Sequence, residues 1–252
     1  MLLSLRAQTV HINPIVVVND GSFDKTGEIA RNFDCIVLDL PSHEESYAGK
    51  PELAEILNVG LTFIRELNQK LKYILIVGAD HILPPKYLEM IITRMEENPQ
   101  LVVASGVIDG ERFDEFTPRG SGRVVTYAFW VKINNLQYPI EWGWESWLYL
   151  KARELGYKTR CFSDIHSRVS RPTSLAKAGN WGKAMYSLGY DWKYALGRCV
   201  LTFFNNPKAG ISMFFNWLLH KNVKRLDISE WVKQEQRKIF WKKVKNIIKS
   251  AV

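Results

Sequence analysis

The sequence predicts an open α/β sheet flanked by helices, continued by a helical C-terminal extension. Three observations carry this: continuous apolar runs of strand length, amphipathic helical stripes between them, and a change from about Arg168 to helices rich in Trp, Tyr, Phe, Lys and Arg. Runs that are apolar throughout, rather than alternating, are buried on both faces. The sheet should therefore be mostly parallel, with right-handed crossovers. A chain of 252 residues can bury the core of one sizeable domain of this kind plus a small extension.

Taken in order, the strand signals are Ile15 to Val18, Cys35 to Leu38, Tyr73 to Val77 and Leu101 to Ala104. A helix opening at Pro51 places Leu53, Ile56, Leu57, Gly60, Leu61, Ile64 and Leu67 along one stripe. A second, from about Pro85 to Glu97, turns Leu88, Ile91, Ile92 and Met95 inward. Asp109 to Arg123 is polar and contains glycine, which predicts a flexible loop beside the sheet; Val124 to Val131 predicts a mixed or edge strand. Glu145 to Leu155 forms a helix closed by Gly156, and Thr159 to Phe162 one more strand.

Composition narrows the class. With 46% apolar and 24% charged residues the chain is an ordinary globular protein, neither disordered nor collagen-like. The longest greasy stretch, Cys199 to Leu219, is broken by Asn205, Asn206, Pro207 and Lys208, so no membrane-spanning helix is predicted. Met1 to Thr9 is too short for a secretory signal, and three scattered cysteines offer no Cys-x-x-Cys pair. A reducing, cytoplasmic location is the expectation. The net charge of +8 hides a division: residues 1–150 hold 13 Lys and Arg against 20 Asp and Glu, while residues 151–252 hold 21 against 6. A carboxylate-bearing part is joined to a part suited to polyanions such as phosphates, nucleic acid or anionic lipid headgroups.

In open α/β sheets, ligands bind outside the carboxyl ends of the strands. Asp20 stands there, in Asn19-Asp20-Gly21-Ser22, and so does Asp80, in Gly78-Ala79-Asp80-His81. Each is alternatively a turn or cap residue. Glu145 shares a helical face with Leu148, Tyr149, Ala152 and Leu155 and is expected to point toward the sheet. Its place in a first helical turn favours the ionised form, as a general base requires. His166 lies just past the last predicted strand, as a ligand or as a hydrogen-bonded structural residue.

These segments resemble the family 2 glycosyltransferases with a GT-A fold. Ile15 to Thr26 looks like their strand running into Asp-Asp-Gly-Ser-x-Asp-x-Thr, and Gly49-Lys50 with Leu57-Asn58-Val59-Gly60-Leu61 is similar to the helix that follows. Ile74 to Leu88 resembles the Asp-x-Asp segment with its Leu-Pro-Pro-x-Tyr-Leu tail, and Gly143-Trp144-Glu145 with Gly156-Tyr157 resembles the segment bearing the base. The likeness covers roughly residues 3–170. It implies a GT-A-like catalytic domain over 1–170 and a basic, aromatic-rich extension over 171–252.

Carried over by residue, the resemblance implies that Asp20 contacts the nucleotide base and that Lys50 lies near the nucleotide. Asp80 and His166 would bind a divalent cation, Mn²⁺ or Mg²⁺, on the diphosphate of a nucleotide-sugar donor. Glu145 would deprotonate the acceptor, and the reaction would invert the sugar carbon. Gly78 stands where the family has the first Asp of Asp-x-Asp, Trp144-Glu145 where it has Glu-Asp, and the family's first strand is absent before Leu3 to Thr9, which looks helical. A catalytically inactive homologue serving as a carbohydrate- or membrane-binding module is the alternative. A glycoside hydrolase using Glu141 and Glu145 leaves the strand-end Asp residues without a role.

Lys221 to Val252 carries ten Lys and Arg against three acids, with Phe240, Val244, Ile247 and Ile248 in a stripe and Trp231 and Trp241 nearby. Such a helix either packs on its own domain or lies on an anionic membrane face, where a lipid-linked rather than a free saccharide acceptor would be met. Single-stranded nucleic acid ranks lower, since no nucleic-acid motif is present. Arg168 and Arg171 face either a phosphate or solvent.

Overall fold

The computed structural model describes residues 1–67, 69–170, 178–219 and 222–250, without the side chains of 178 and 242–250. Arg171, Lys221 and the side chains of Val244, Ile247 and Ile248 therefore lie outside the described residues. The chain divides into two units, one of residues 1–46, 55–138 and 151–172, the other of 47–54, 139–150 and 173–252.

In the first unit, helix α1 (Leu2–Arg6) leads to strand β1 (Val16–Asp20), helix α2 (Thr26–Asn32) and strand β2 (Ile36–Leu40), which pairs parallel with β1. Helix α3 (Pro51–Glu66) follows, beginning in the second unit and continuing in the first. Strands β3 (Tyr73–Ile76) and β4 (His81–Ile82), helix α4 (Tyr87–Glu97), strands β5 (Leu101–Ile108) and β6 (Arg123–Thr126), helices α5 (Tyr127–Asn134) and α6 (Trp144–Glu154), and strand β7 (Lys158–Val169) come next.

The larger sheet has the order β3-β6-β5-β7-β4. The α/β class is as the sequence predicts, but this sheet is mixed rather than mostly parallel. Only β5 and β7 pair parallel in it, while β6 runs antiparallel to both β3 and β5, and β4 antiparallel to β7. β6 is interior, not an edge, because Val124 and Val125 are buried between its two neighbours. It stops at Thr126, where Phe129 and Trp130 take a helical spacing and bury themselves in α5. β3 and β4 stand at opposite ends of the order although five residue steps join them. That stretch reaches about 18 Å, against about 19 Å across four flat strand spacings, so the sheet curls.

All eight residues of β5 are buried, which is why its run carries no polar alternation. Against the sheet pack Leu88, Ile91 and Met95 of α4, with Leu5 of α1 and Ile15. Asn58 of α3 is buried and grips Tyr138 twice, its Nδ2 donating to the carbonyl (2.9 Å) and its Oδ1 accepting from the N–H (2.7 Å). A Cβ on Gly60 would lie 2.8 Å from Val18 Cγ2, so α3 rests directly on β1.

The 109–122 segment is pinned rather than loose. Buried Arg123 donates to the carbonyls of Arg119 (2.9 Å) and Pro118 (3.0 Å), Ser105 Oγ accepts from the Arg119 N–H, and Arg119 pairs with Glu111. β7 runs on to Val169, well past Phe162, because three residues, Ser163 to Ile165, bulge out between its pairings with Gly106 and Val107. Ile165 drops into the core, and Asp164 takes Arg94 of α4 in a two-pronged bond that holds its carboxyl down at about 2.

The second unit is helical: α7 (Ala178–Ser187), α8 (Trp192–Asn205), α9 (Pro207–Leu218) and α10 (Ser229–Ser250), with the start of α6. A Cβ on Gly182 of α7 would stand 2.2 Å from the Met213 carbonyl, so α7 and α9 meet backbone to backbone.

Candidate functional site

Parallel pairing sets the carboxyl ends of β1 and β2 side by side, with Asp20 opposite Leu40. Gly21 then turns at φ +64°, and a Cβ there would lie 2.4 Å from Ser42 Cα. Glycine alone lets Asn19-Asp20-Gly21 lie against Pro41-Ser42-His43. The contact places His43 Nε2 2.9 Å from Asp20 Oδ1, while Nδ1 is 2.6 Å from the Glu45 carbonyl. Both ring nitrogens face acceptors, which suits the protonated ring, and the bond to Asp20 raises the His43 pKa. The Thr26 side chain and then its N–H, 2.9 Å from Oδ1, bond to Asp24 and lower its pKa at the start of α2.

Asp80 sits in the turn between β3 and β4, and its carboxylate has no hydrogen-bond or ion-pair partner among the described residues. The turn beneath it is fixed by His81, fully buried. Ser121 Oγ accepts from the Gly78 N–H (2.8 Å) and lies 2.7 Å from His81 Nδ1; Ser167 Oγ donates to the Val107 carbonyl (2.8 Å) and lies 2.8 Å from His81 Nε2. Since the Ser167 proton is committed, its oxygen must accept from Nε2–H. Burial lowers the ring's pKa and so favours the neutral form, in which Nδ1 accepts a hydrogen bond from the Ser121 hydroxyl.

His166 and Arg168 lie within β7, not beyond it, and both are exposed on the face opposite Ser167. His166 Nδ1 is 2.7 Å from Asp109 Oδ1, just past the carboxyl end of β5. Arg168 pairs in register with Ile82, two residues from Asp80, and has no ion-pair partner among the described residues. The register thus brings Asp80, His166 and Arg168 to one end of the sheet.

Lys50 and Glu145 belong to the second unit. The Trp144 indole donates to the Lys50 carbonyl at 3.0 Å, and Lys50 Nζ lies 5.9 Å over the Tyr47 ring. Glu145 is exposed, which corrects the inward orientation drawn from periodicity. Trp144, Trp147 and Leu148 fill the buried face at the start of α6, and Leu155 too is exposed.

Among the described residues no three His, Cys, Asp or Glu side chains stand close enough to cage a metal ion. Asp80, without a partner among the described residues, and His166, whose Nδ1 faces the Asp109 carboxylate, supply oxygen and nitrogen donors at this end of the sheet but no closed protein cage. A groove of about 740 Å³ lies elsewhere, at the starts of β5 and β7 among Leu101, Lys158, Arg153 and Phe162. Periodicity missed His43, Asp109 and the serine pair around His81. Extending the strand-end rule to Leu40 and Ile108 would have found the first two.

No protein-family model matches the chain, and no curated protein matches it in sequence. Solved structures do. S. aureus TarS 1-349 in complex with UDP aligns with a TM-score of 0.51 at 18% identity, over 74% of this chain and 58% of that one. Mannosyltransferase PcManGT from Pyrobaculum calidifontis, in complex with GDP-Man and Mn²⁺, aligns with 0.54 at 13% identity, over 88% and 65%. A further structure of S. aureus TarS aligns with 0.51 at 17% identity, over 86% and 40%. The chain thus spans less than two thirds of each of these proteins, and what it shares with them is a GT-A-like glycosyltransferase fold.

Proposed function

We propose that this chain, built on a glycosyltransferase fold, binds a nucleotide-diphosphate sugar and transfers the sugar with inversion to an acceptor hydroxyl or lipid phosphate, as a family 2 enzyme. The observation that carries the reading is the Asp80 carboxylate, without a partner among the described residues, in the turn between β3 and β4 and in a fold shared with a mannosyltransferase.

Asp20, oriented by His43, accepts from an N–H of the nucleotide base. Arg168 meets the diphosphate, and Lys50 lies by the nucleotide. Asp80 and His166 would hold a divalent cation, Mn²⁺ or Mg²⁺, with Asp109 keeping the His166 proton on Nδ1. When bound, the cation offsets negative charge growing on the departing diphosphate. Glu145 takes the acceptor proton as the new bond to the anomeric carbon forms and the bond to the diphosphate breaks. A second reading, donor binding without turnover, draws on Gly78 in place of a carboxylate.

A panel of UDP- and GDP-sugars with Mn²⁺ or Mg²⁺ tests this by thermal shift and by release of nucleoside diphosphate. One donor should stabilise the wild type but not Asp80→Asn, with diphosphate released in the presence of acceptor. Stabilisation without release favours the second reading; stabilisation by no donor rejects both.

A further inference from the structure

Helices α8 and α9 form a hairpin folded at Asn206, whose side chain accepts from the Ala209 N–H at 3.1 Å. A Cβ on Gly210 would lie 2.6 Å from Phe203 Cα, so the two helices are in backbone contact. One side of the hairpin is core: Ala195, Cys199 and Met213 are buried with Met185 of α7.

The side turned away from that core is apolar as well. Trp192, Leu196 and Phe204 on α8, and Ile211, Phe215 and Leu218 on α9, are exposed at helical spacings, Phe204 to 80%. Single exposed apolar residues are ordinary, whereas two such stripes on one hairpin mark a contact surface.

Charge defines what the surface meets. From Trp192 to Leu219 there is no Asp or Glu, only Lys193, Arg198 and Lys208. Arg198 turns to the Trp181 ring of α7, 5.9 Å from its centre, which leaves Lys193 and Lys208 to the surface. Lys193 Nζ stands 4.6 Å from the centre of the Phe240 ring, 5.3 Å from Trp241 and 5.7 Å from Trp192, so aromatic residues of α10 surround a cation at the start of α8. The nearest acid, Asp191, is buried and taken up by Arg237 at 2.8 Å.

We propose that the α8–α9 hairpin docks on an anionic lipid surface, its rings and aliphatic groups at the acyl boundary and its cations among the headgroups. A second copy suits the face poorly, because symmetric pairing would set Lys193 and Lys208 against their own copies with no acid in either helix to oppose them. Among the described residues no helix is long and apolar enough to cross a membrane, so the contact is interfacial. The inference does not depend on sugar transfer.

Co-sedimentation of the full chain with vesicles of phosphatidylcholine alone, and of equal parts phosphatidylcholine and phosphatidylglycerol, tests it. Binding to the anionic vesicles, weakened by salt, is the expected result. Phe204→Asp combined with Phe215→Asp should lower partitioning about tenfold or more, with the circular dichroism spectrum unchanged. No binding to the anionic vesicles, equal binding by wild type and double variant, or a dimer that the double variant dissociates without any vesicle binding would each overturn it.

Discussion

His81 Nδ1 and Ser121 Oγ lie 2.7 Å apart, and this bond ties the turn that carries Asp80 to the residues entering β6. The same hydroxyl oxygen accepts from the Gly78 N–H, so one side chain satisfies groups on both sides of Asp80. Ser121→Ala leaves the N–H and the ring nitrogen without partners. Urea unfolding should show a loss of about 1–3 kcal/mol, and donor affinity should fall because Asp80 is no longer held.

Two histidines should give the stability curve opposite slopes. His43 is raised above 6.5 by Asp20, so its contribution is complete below 6.5 and fades as pH rises through the higher folded value. His81 is lowered below 6.5 by burial; its contribution is complete above 6.5 and fades as pH falls toward the lower folded value. Thermal melts between about pH 5 and 8 should lose the alkaline decline in His43→Gln and the acid decline in His81→Asn. If both slopes survive in both variants, neither ring carries the linkage.

Much of this was legible in the sequence, and the failures have physical causes. Val16 to Asp20 and Tyr73 to Ile76 are strands where the sequence has continuous apolar runs, although β1 belongs to a two-stranded sheet and β3 to the edge of the larger one, both only half-buried. The strand at Arg123 to Thr126 is short and antiparallel, and nothing in Val-Val reports strand direction. β7 was cut at Phe162 because its bulge breaks the period just where Asp164 leaves the sheet for Arg94. Asp20 and Asp80 are legible as strand-end residues, since strand ends are marked by the end of apolarity. The contact of His43 with Asp20 is not, because it exists only through Gly21 packing on Ser42, a contact across about twenty residues of sequence.

Placing a carboxylate at position 78 should strengthen cation binding. A Cβ on Gly78 would lie 3.2 Å from Asp80 Oδ1 and 3.4 Å from Ser121 Oγ, tight against movable side-chain ends and clear of backbone. Gly78→Asp therefore adds a second hard oxygen ligand beside Asp80 with little disturbance. Calorimetric titration of Mn²⁺ in the presence of nucleoside diphosphate should give affinity about tenfold higher than wild type. Unchanged or weaker affinity would mean the cation is not held at this turn.

Glu145→Gln separates chemistry from binding. The side chain stands in the first turn of α6, exposed, and Trp144 and Trp147 anchor the helix around it, so the near-isosteric amide should fold. An amide cannot take the acceptor proton, and a positioned general base is worth about 10²- to 10⁴-fold in rate. The variant should lose that factor in kcat while donor affinity stays at the wild-type value. A loss of donor affinity with kcat retained would instead make Glu145 a binding group, and the base would have to be sought on another residue.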